Sequence, residues 1–289
     1  MVLLRAYLAL MKLRVVELLL ISTIPAMILA EKGVPSLGLI VATLVGGTLA
    51  AGSANAFNMV LESDLDKLME RTSERPLVTG ALSRLHAAIF ATAIGVLSLA
   101  IFWIYTEPLA TLLTAIAIGF YVLVYTMALK RHTSQNIVWG GAAGCMPVFI
   151  GWAAVTNSLS WAAVAFFFVI FFWTPPHFWA LAIKYKDDYE AAKIPMLPVI
   201  AARNIVVRNM WFHTIAMIAS SIALIYLTEL QWWAMMITIA LGLVFALQLV
   251  QLKEKSEKYD AVALKIFHWS ITYLTLFSAL LVIAQLLKA

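Results

Sequence analysis

Long uninterrupted apolar runs, separated by short polar punctuation, set the pattern of this chain. Each run reaches about 20 residues, the length a helix needs to cross the hydrocarbon core of a bilayer. Nine recur, near Val15 to Ala30, Leu37 to Leu61, Leu85 to Tyr105, Leu109 to Leu129, Ile137 to Val155, Trp161 to Ile183, Met210 to Leu227, Trp232 to Leu252 and Ile266 to Leu287. The runs are continuous rather than alternating, which excludes a membrane β-barrel, so the pattern predicts an all-α polytopic fold of about nine helices. With no long linker, low-complexity segment or short-period repeat, residues 1–289 read as one domain.

Composition agrees: 63% of residues are hydrophobic and 12% charged, and the mean hydropathy is +0.94, outside the range of soluble chains. The net charge of +5 does not indicate nucleic acid, because the charges sit in short patches between the apolar runs. If the N-terminus is cytoplasmic and nine helices alternate, 18 of the 20 Lys and Arg residues fall on the inner side and only Lys32 and Lys288 fall outside. That asymmetry is what the positive-inside rule requires, and it places the C-terminus outside. The early Arg5, Lys12 and Arg14 with no evident cleavage site predict an uncleaved first helix. A lone cysteine, Cys145, excludes an internal disulfide framework, and no Cys/His spacing suits structural zinc.

Acidic residues concentrate in the two longest inner connections, Glu62 to Arg84 and Lys184 to Arg208, so function is expected at the inner face. In the first, Asn58, Glu62 and Asp66 are spaced i, i+4, i+8 and would stack on one face of a continuing helix, about 6 Å apart per step. Three oxygen donors pointing one way suit Mg²⁺, which binds a few carboxylates and completes its octahedron with substrate phosphates and water. Arg71 and Arg75 follow, well suited to phosphate oxygens. The plainer reading is a solvated loop whose charges neutralise one another, but the motif starts at the end of an apolar helix, where ionisable groups are costly. Asp64 lies out of phase with the trio and reads as a capping or supporting residue.

Lys130 and Arg131 close the fourth run, as topological anchors or as further diphosphate ligands. Gly140, Gly141 and Gly144 open the fifth, a small-residue face that either lets helices approach or leaves room for a bulky ligand. The sixth contains Pro175-Pro176-His177, where two prolines should break the helical ladder. From His177, Lys184 and Asp188 share one face, with Asp187 one position off it. His86, His213 and His268 lack such company and read as structural.

Together these segments resemble the intramembrane aromatic prenyltransferases of the UbiA superfamily, in its haem-modifying branch. The likeness is densest from Asn58 to Gly80, at Tyr125 to Trp152, and at Trp173 to Val199, where Thr-Pro-Pro-His-Phe-Trp-Ala-Leu-Ala-Ile is specific to that branch. The resemblance implies helices around a central cavity open toward lipid, in a bacterial inner membrane, with the active-site loops cytoplasmic. It implies Mg²⁺ as cofactor on Asn58, Glu62 and Asp66, with Asp187 and Asp188 in a second motif. The substrates implied are farnesyl diphosphate, its head on Arg71, Arg75, Lys130, Arg131 or Lys184, and haem B, with addition of water to the prenylated vinyl group. Lys130 and His177 join the metal trio as implied catalytic residues, and His177, Trp173 and Trp179 would contact haem, the histidine through iron or a propionate. A downstream haem-modifying enzyme or terminal oxidase is an implied partner. Glu62 stands where the family usually has Asp, and His177 and Lys184 stand where quinone-forming relatives carry aspartates, so fewer carboxylates are expected around the metal. A prenyltransferase for a quinone-precursor or chlorophyll-type acceptor, or a transporter with a broken helix, are the competing readings.

Overall fold

A computed structural model describes residues 2–13 and 21–288. Every regular element among them is helical. A short α1 (Val2–Met11) and α2 (Thr23–Glu31) precede α3 (Leu37–Glu62), α4 (Arg84–Tyr105) and α5 (Pro108–Gly119), which continues as a π-helical stretch, Phe120–Leu129. Then come α6 (Asn136–Thr156), α7 (Trp161–Lys184), two short inner helices α8 (Lys186–Ala191) and α9 (Leu197–Ile200), and α10 (Arg203–Leu227), α11 (Trp232–Val250) and α12 (Tyr259–Lys288).

Among the described residues eight helices are long and apolar enough to cross a membrane: α3, α4, α5 with its π-helical extension, α6, α7, α10, α11 and α12. The expected first span, Val15 to Ala30, falls partly on residues 14–20, which lie outside the described residues. Its described part is α2.

Local chemistry fixes the helix starts. Ser36, Ser83 and Ser160 each cap a first turn, their hydroxyls accepting from Leu39, His86 and Ala163 N–H groups. Pro108 sits in the first turn of α5, where its missing N–H costs nothing. Asn157 closes α6 in the left-handed region at φ 50°, and its side-chain oxygen accepts from Leu109 N–H, tying two turns together.

Between helices, small residues and hydroxyls do the packing, because lipid supplies no hydrophobic drive for helix association. Gly46 of α3 lies so close to α4 that a Cβ there would meet the Phe102 ring at 2.7 Å. Beside it Ser98 donates to Gly46 O, and Ser53 donates back to Ala91 O. The main core surrounds α7, whose Phe166, Val169, Trp173 and Trp179 pack with Met210, Met217, Phe245, Tyr273 and Phe277 of α10–α12.

The double proline does not break α7, contrary to expectation. The helix runs unbroken from Trp161 to Lys184, with Pro175 and Pro176 buried inside it. The two missing N–H groups leave the carbonyls one turn earlier without ladder donors, and the surrounding helices hold the segment in place.

Candidate functional site

The sequence between α3 and α4 does not continue as helix through Asp66. α3 ends at Glu62, the chain turns at Ser63–Leu65, and Asp66 opens a 3₁₀ turn, Asp66–Leu68. The expected vertical stack is therefore replaced by a helix end and a fold-back. Even so, Asn58, Glu62 and Asp66 are all buried. Asn58 Nδ2 donates to Glu62 Oε2 at 2.7 Å, and also reaches Thr126 Oγ1 at 3.3 Å.

Cations meet these oxygens from three separate elements. Lys130, just beyond the π-helical stretch, pairs with Glu62. Arg75 spans both Asp66 oxygens at 2.6 Å. Lys12, just after α1, donates to Asn58 Oδ1 at 3.1 Å. Burial first, then the positive charges of Arg75 and Lys130, hold the Lys12 ammonium well below the ordinary lysine range. Thr72 donates to Asp66 O at 2.8 Å and pins the fold-back.

Lys12, Asn58, Asp66, Arg75 and Lys130 form the polar end of a cavity of about 330 Å³ whose remaining wall is mostly apolar. Gly140, Gly141 and Gly144 all line it, with Trp173, Thr174 and Phe178 of α7. The glycines serve both purposes: a Cβ on Gly140 would meet the Tyr125 ring at 2.1 Å, while the missing side chains leave the cavity open. Met69, Tyr189, Ile194 and Met196 pack together where the two inner connections meet, covering the polar end.

Other expected site residues lie elsewhere. Lys184 and Asp187 are exposed, Asp188 is half-buried, and none of them is on the cavity wall. The reason is local: α7 ends at Lys184 and the chain turns at Tyr185 into the separate α8, so the face shared with His177 is interrupted. Arg131 pairs instead with Asp64 at 3.0 Å on the surface, and that contact holds the Asp64 carboxyl below the usual range. Arg71 sits in the 3₁₀ turn Glu70–Thr72, and its side chain lies outside the described residues. Trp179 is fully buried away from the cavity; of the expected haem contacts only Trp173 lines it. His177 is buried behind the wall, stacked between Trp173 and Phe267 at 4.3 and 4.7 Å. Lys12 and Thr126 complete the cluster without having been singled out in the sequence. The buried Ala6, Leu10 and Met11 of α1 were the signal that this helix packs on the bundle.

The donor set suits a hard divalent cation. An amide and a carboxylate, Asn58 and Glu62, are in contact, a second carboxylate, Asp66, lines the same cavity as Asn58, Glu62 Oε1 is buried without a partner, and Lys130 and Arg75 now neutralise the charge a metal would. Among the described residues no three His, Cys, Asp or Glu cluster, so a bound cation would draw its remaining ligands from substrate and water, as Mg²⁺ does.

A family model described as the UbiA prenyltransferase family matches residues 19–271. Protoheme IX farnesyltransferase of Renibacterium salmoninarum is 51% identical over 94% of this chain and 86% of its own length. The protein of that name from Frankia casuarinae is 50% identical over 94% of both. Among solved structures, a digeranylgeranylglyceryl phosphate synthase structure superposes with a TM-score of 0.81 at 14% identity, covering 99% of each chain. A UbiA homolog from Archaeoglobus fulgidus bound to GPP and Mg²⁺ gives a TM-score of 0.68 at 17% identity, covering 96% of this chain and 99% of that one. At such identities these two report the fold.

Proposed function

Since the chain belongs to the UbiA prenyltransferase family, we infer that it transfers the farnesyl group of farnesyl diphosphate to a vinyl group of haem B, with addition of water. The products are haem O and diphosphate. The observation that carries this reading is the cavity itself: Lys12, Arg75 and Lys130 with the oxygen donors Asn58 and Asp66 at one end, Glu62 bonded behind them to Asn58 and Lys130, and an apolar wall along the rest. The curated relatives at about half identity over nearly the whole chain support the choice of donor and acceptor.

The diphosphate head enters the polar end, where Lys12, Arg75 and Lys130 supply positive charge on three elements. Mg²⁺, held by Asn58, Glu62 and Asp66, would supply Lewis acidity to the leaving diphosphate. The ion pairs Lys130–Glu62 and Arg75–Asp66 keep the cations at the mouth, ready to turn from carboxylate to phosphate oxygens. Charge growing on the departing diphosphate is then met by groups already in place, the preorganisation that lowers such barriers. The prenyl chain lies along the glycine face, and the apolar wall keeps water from the allylic carbon until carbon–carbon bond formation. The C1–oxygen bond breaks, the vinyl carbon bonds to C1, and water adds to the adjacent cationic carbon with loss of a proton.

Phe178 lines the cavity and is also 36% exposed, so the planar acceptor approaches from the lipid past this residue. The concentration of Lys and Arg in the connections at the polar end supports a cytoplasmic orientation of that end, in a bacterial inner membrane. The product leaves into lipid toward a downstream haem-modifying enzyme or a terminal oxidase. The test is to incubate purified protein in nanodiscs with haem B, farnesyl diphosphate and Mg²⁺, and to extract pigment for mass spectrometry. A haem heavier by one farnesyl group and one hydroxyl is expected. Unmodified haem, with prenylation of a quinone precursor under the same conditions, would replace the acceptor.

A further inference from the structure

The cavity runs lengthwise through the bundle, and α3 marks off its length. Asn58, Ala54, Ala50, Gly47 and Thr43 all line it, one on each successive turn from the inner end of α3 outward. At 1.5 Å per residue these positions cover about 22 Å. α6 lines the cavity from Ile137 to Ile150, about 20 Å by the same measure. Ile137 packs with Met69 and Tyr189 at the polar end, so both helices count from one level and both stop at nearly one depth. Thr43 and Ile150 are buried there. The Thr43 hydroxyl donates to Leu39 O at 2.8 Å, and Ile150 belongs to a packed cluster with Phe102, Ala110 and Ala153, with Leu39 against it. Among the described residues, then, a packed apolar cluster stands behind the far end. The partly exposed Phe178 lies instead in the inner third of α7.

From Ala54 to Thr43, α3 shows the cavity only Gly, Ala and Thr. Each isoprene unit lengthens an extended prenyl chain by about 5 Å, close to one helical pitch. With the diphosphate level with Asn58 and the first carbon level with Ala54, successive units end at Ala50, Gly47 and Thr43. A fourth unit would have to force the cluster behind Thr43 apart, where overpacking is costly, or draw the diphosphate away from Lys12, Arg75 and Lys130. A chain of two units would leave the last level without contacts. Resting on the prenyl-donor reading above, we propose that Thr43 and Ile150 are the end stop of a length gauge that selects a prenyl diphosphate of three isoprene units. Gly47, bare of a side chain, lets the third unit pass to that stop. Donor length is thus read at the far end of the cavity, away from the cations that hold the head and from the opening at Phe178.

The experiment compares geranyl, farnesyl and geranylgeranyl diphosphate on the full-length protein in nanodiscs with Mg²⁺. Binding is read by calorimetry, and competitive transfer to haem B is read by product mass. The natural protein is expected to favour farnesyl. A leucine side chain on α3 leans toward the helix N-terminus, so Gly47→Leu fills the third level and should move the preference toward geranyl diphosphate roughly 10-fold or more. Thr43→Ala combined with Ile150→Ala opens the stop and should move it toward geranylgeranyl diphosphate by a similar factor. Magnesium-dependent binding of inorganic diphosphate, which has no tail, shows that each variant keeps its fold and head site; if one variant fails that check, the other decides. Equal loss of all three donors in a variant that passes it, an unmoved length preference, or no preference in the natural protein overturns the proposal. A shift in binding preference without any prenylated haem would instead overturn the transferase reading and leave the gauge standing.

Discussion

At Asp66 both carboxylate oxygens are held by one arginine and the backbone oxygen by a threonine, so this residue is oriented before any ligand arrives. Asp66→Asn keeps the shape and removes the charge. Its expected result is a flattened Mg²⁺ titration of farnesyl diphosphate binding, read by calorimetry, with the helical circular dichroism unchanged. Lys12 presents the opposite balance. A half-buried ammonium beside two other cations is held at a cost to the empty protein. Lys12→Met should raise the Tm of the protein alone while weakening diphosphate binding by about tenfold, or roughly 1.4 kcal/mol, a trade common at functional sites. A lower Tm would show that Lys12 stabilises the cluster instead. Asp64 carries a different lesson. Its folded pKa lies below the ordinary 3.8 because of Arg131, so the pair's contribution is complete above that value and disappears as the pH falls through the lower folded one. Both groups are well exposed and the contribution is small. The difference in Tm between the natural protein and Asp64→Asn should therefore be flat from neutral pH down to about pH 4, and shrink as the pH falls further.

Among the elements, α3 and α4 show how little hydrophobic transfer explains in lipid. Their contact depends on Gly46 beneath Phe102, with Ser98 and Ser53 bonding across. Gly46→Ala forces the aromatic ring aside and should cost about 1–3 kcal/mol, seen as a lower Tm and partly recovered by Phe102→Leu. Ser98→Ala should cost less, near 0.6 kcal/mol, the average for hydrogen bonds between membrane helices. Helix identity was plain from the sequence because runs of about 20 apolar residues admit few alternatives. Helix ends were not: the i, i+4, i+8 spacing of Asn58, Glu62 and Asp66 pointed to one straight face, yet a turn at Ser63–Leu65 brings Asp66 back toward Arg75. Pro175-Pro176 read as a break because the rule for isolated helices counts lost hydrogen bonds, whereas α7 continues through both prolines, which are buried among its neighbours. The π-helical stretch that carries Tyr121 and Tyr125 to the cavity and Thr126 to Asn58 leaves no periodic signal in a uniformly apolar run, and it is the kind of irregularity that marks functional segments.

In the whole molecule, charge patterning and packing point to one orientation. α1 packs on the inner ends of α3 and α4 through Ala6 and Leu10 against Ala56, Met59 and Ala87, beside the loop that holds Asp66. At the opposite end Lys288 donates to Thr228 O in the turn between α10 and α11, so the two termini lie on opposite faces of the bundle. Tyr105, Trp161, Tyr226 and Trp232 stand exposed at that second face, an interfacial aromatic girdle. Lys12 was readable only as a topological charge, because its contact with Asn58 spans 46 residues and depends on how α1 docks. The orientation can be checked on the intact protein, since Cys145 is fully buried and gives little background to a polar thiol reagent. Ser158→Cys, in the exposed turn after α6, should be labelled by a membrane-impermeant maleimide in intact cells. Ser256→Cys, in the basic connection between α11 and α12, should be labelled only after permeabilisation. The reverse pattern would put Lys12, Asp66 and Arg75 on the outer face, away from any cytoplasmic supply of prenyl diphosphate, and would remove the basis for the proposed reaction.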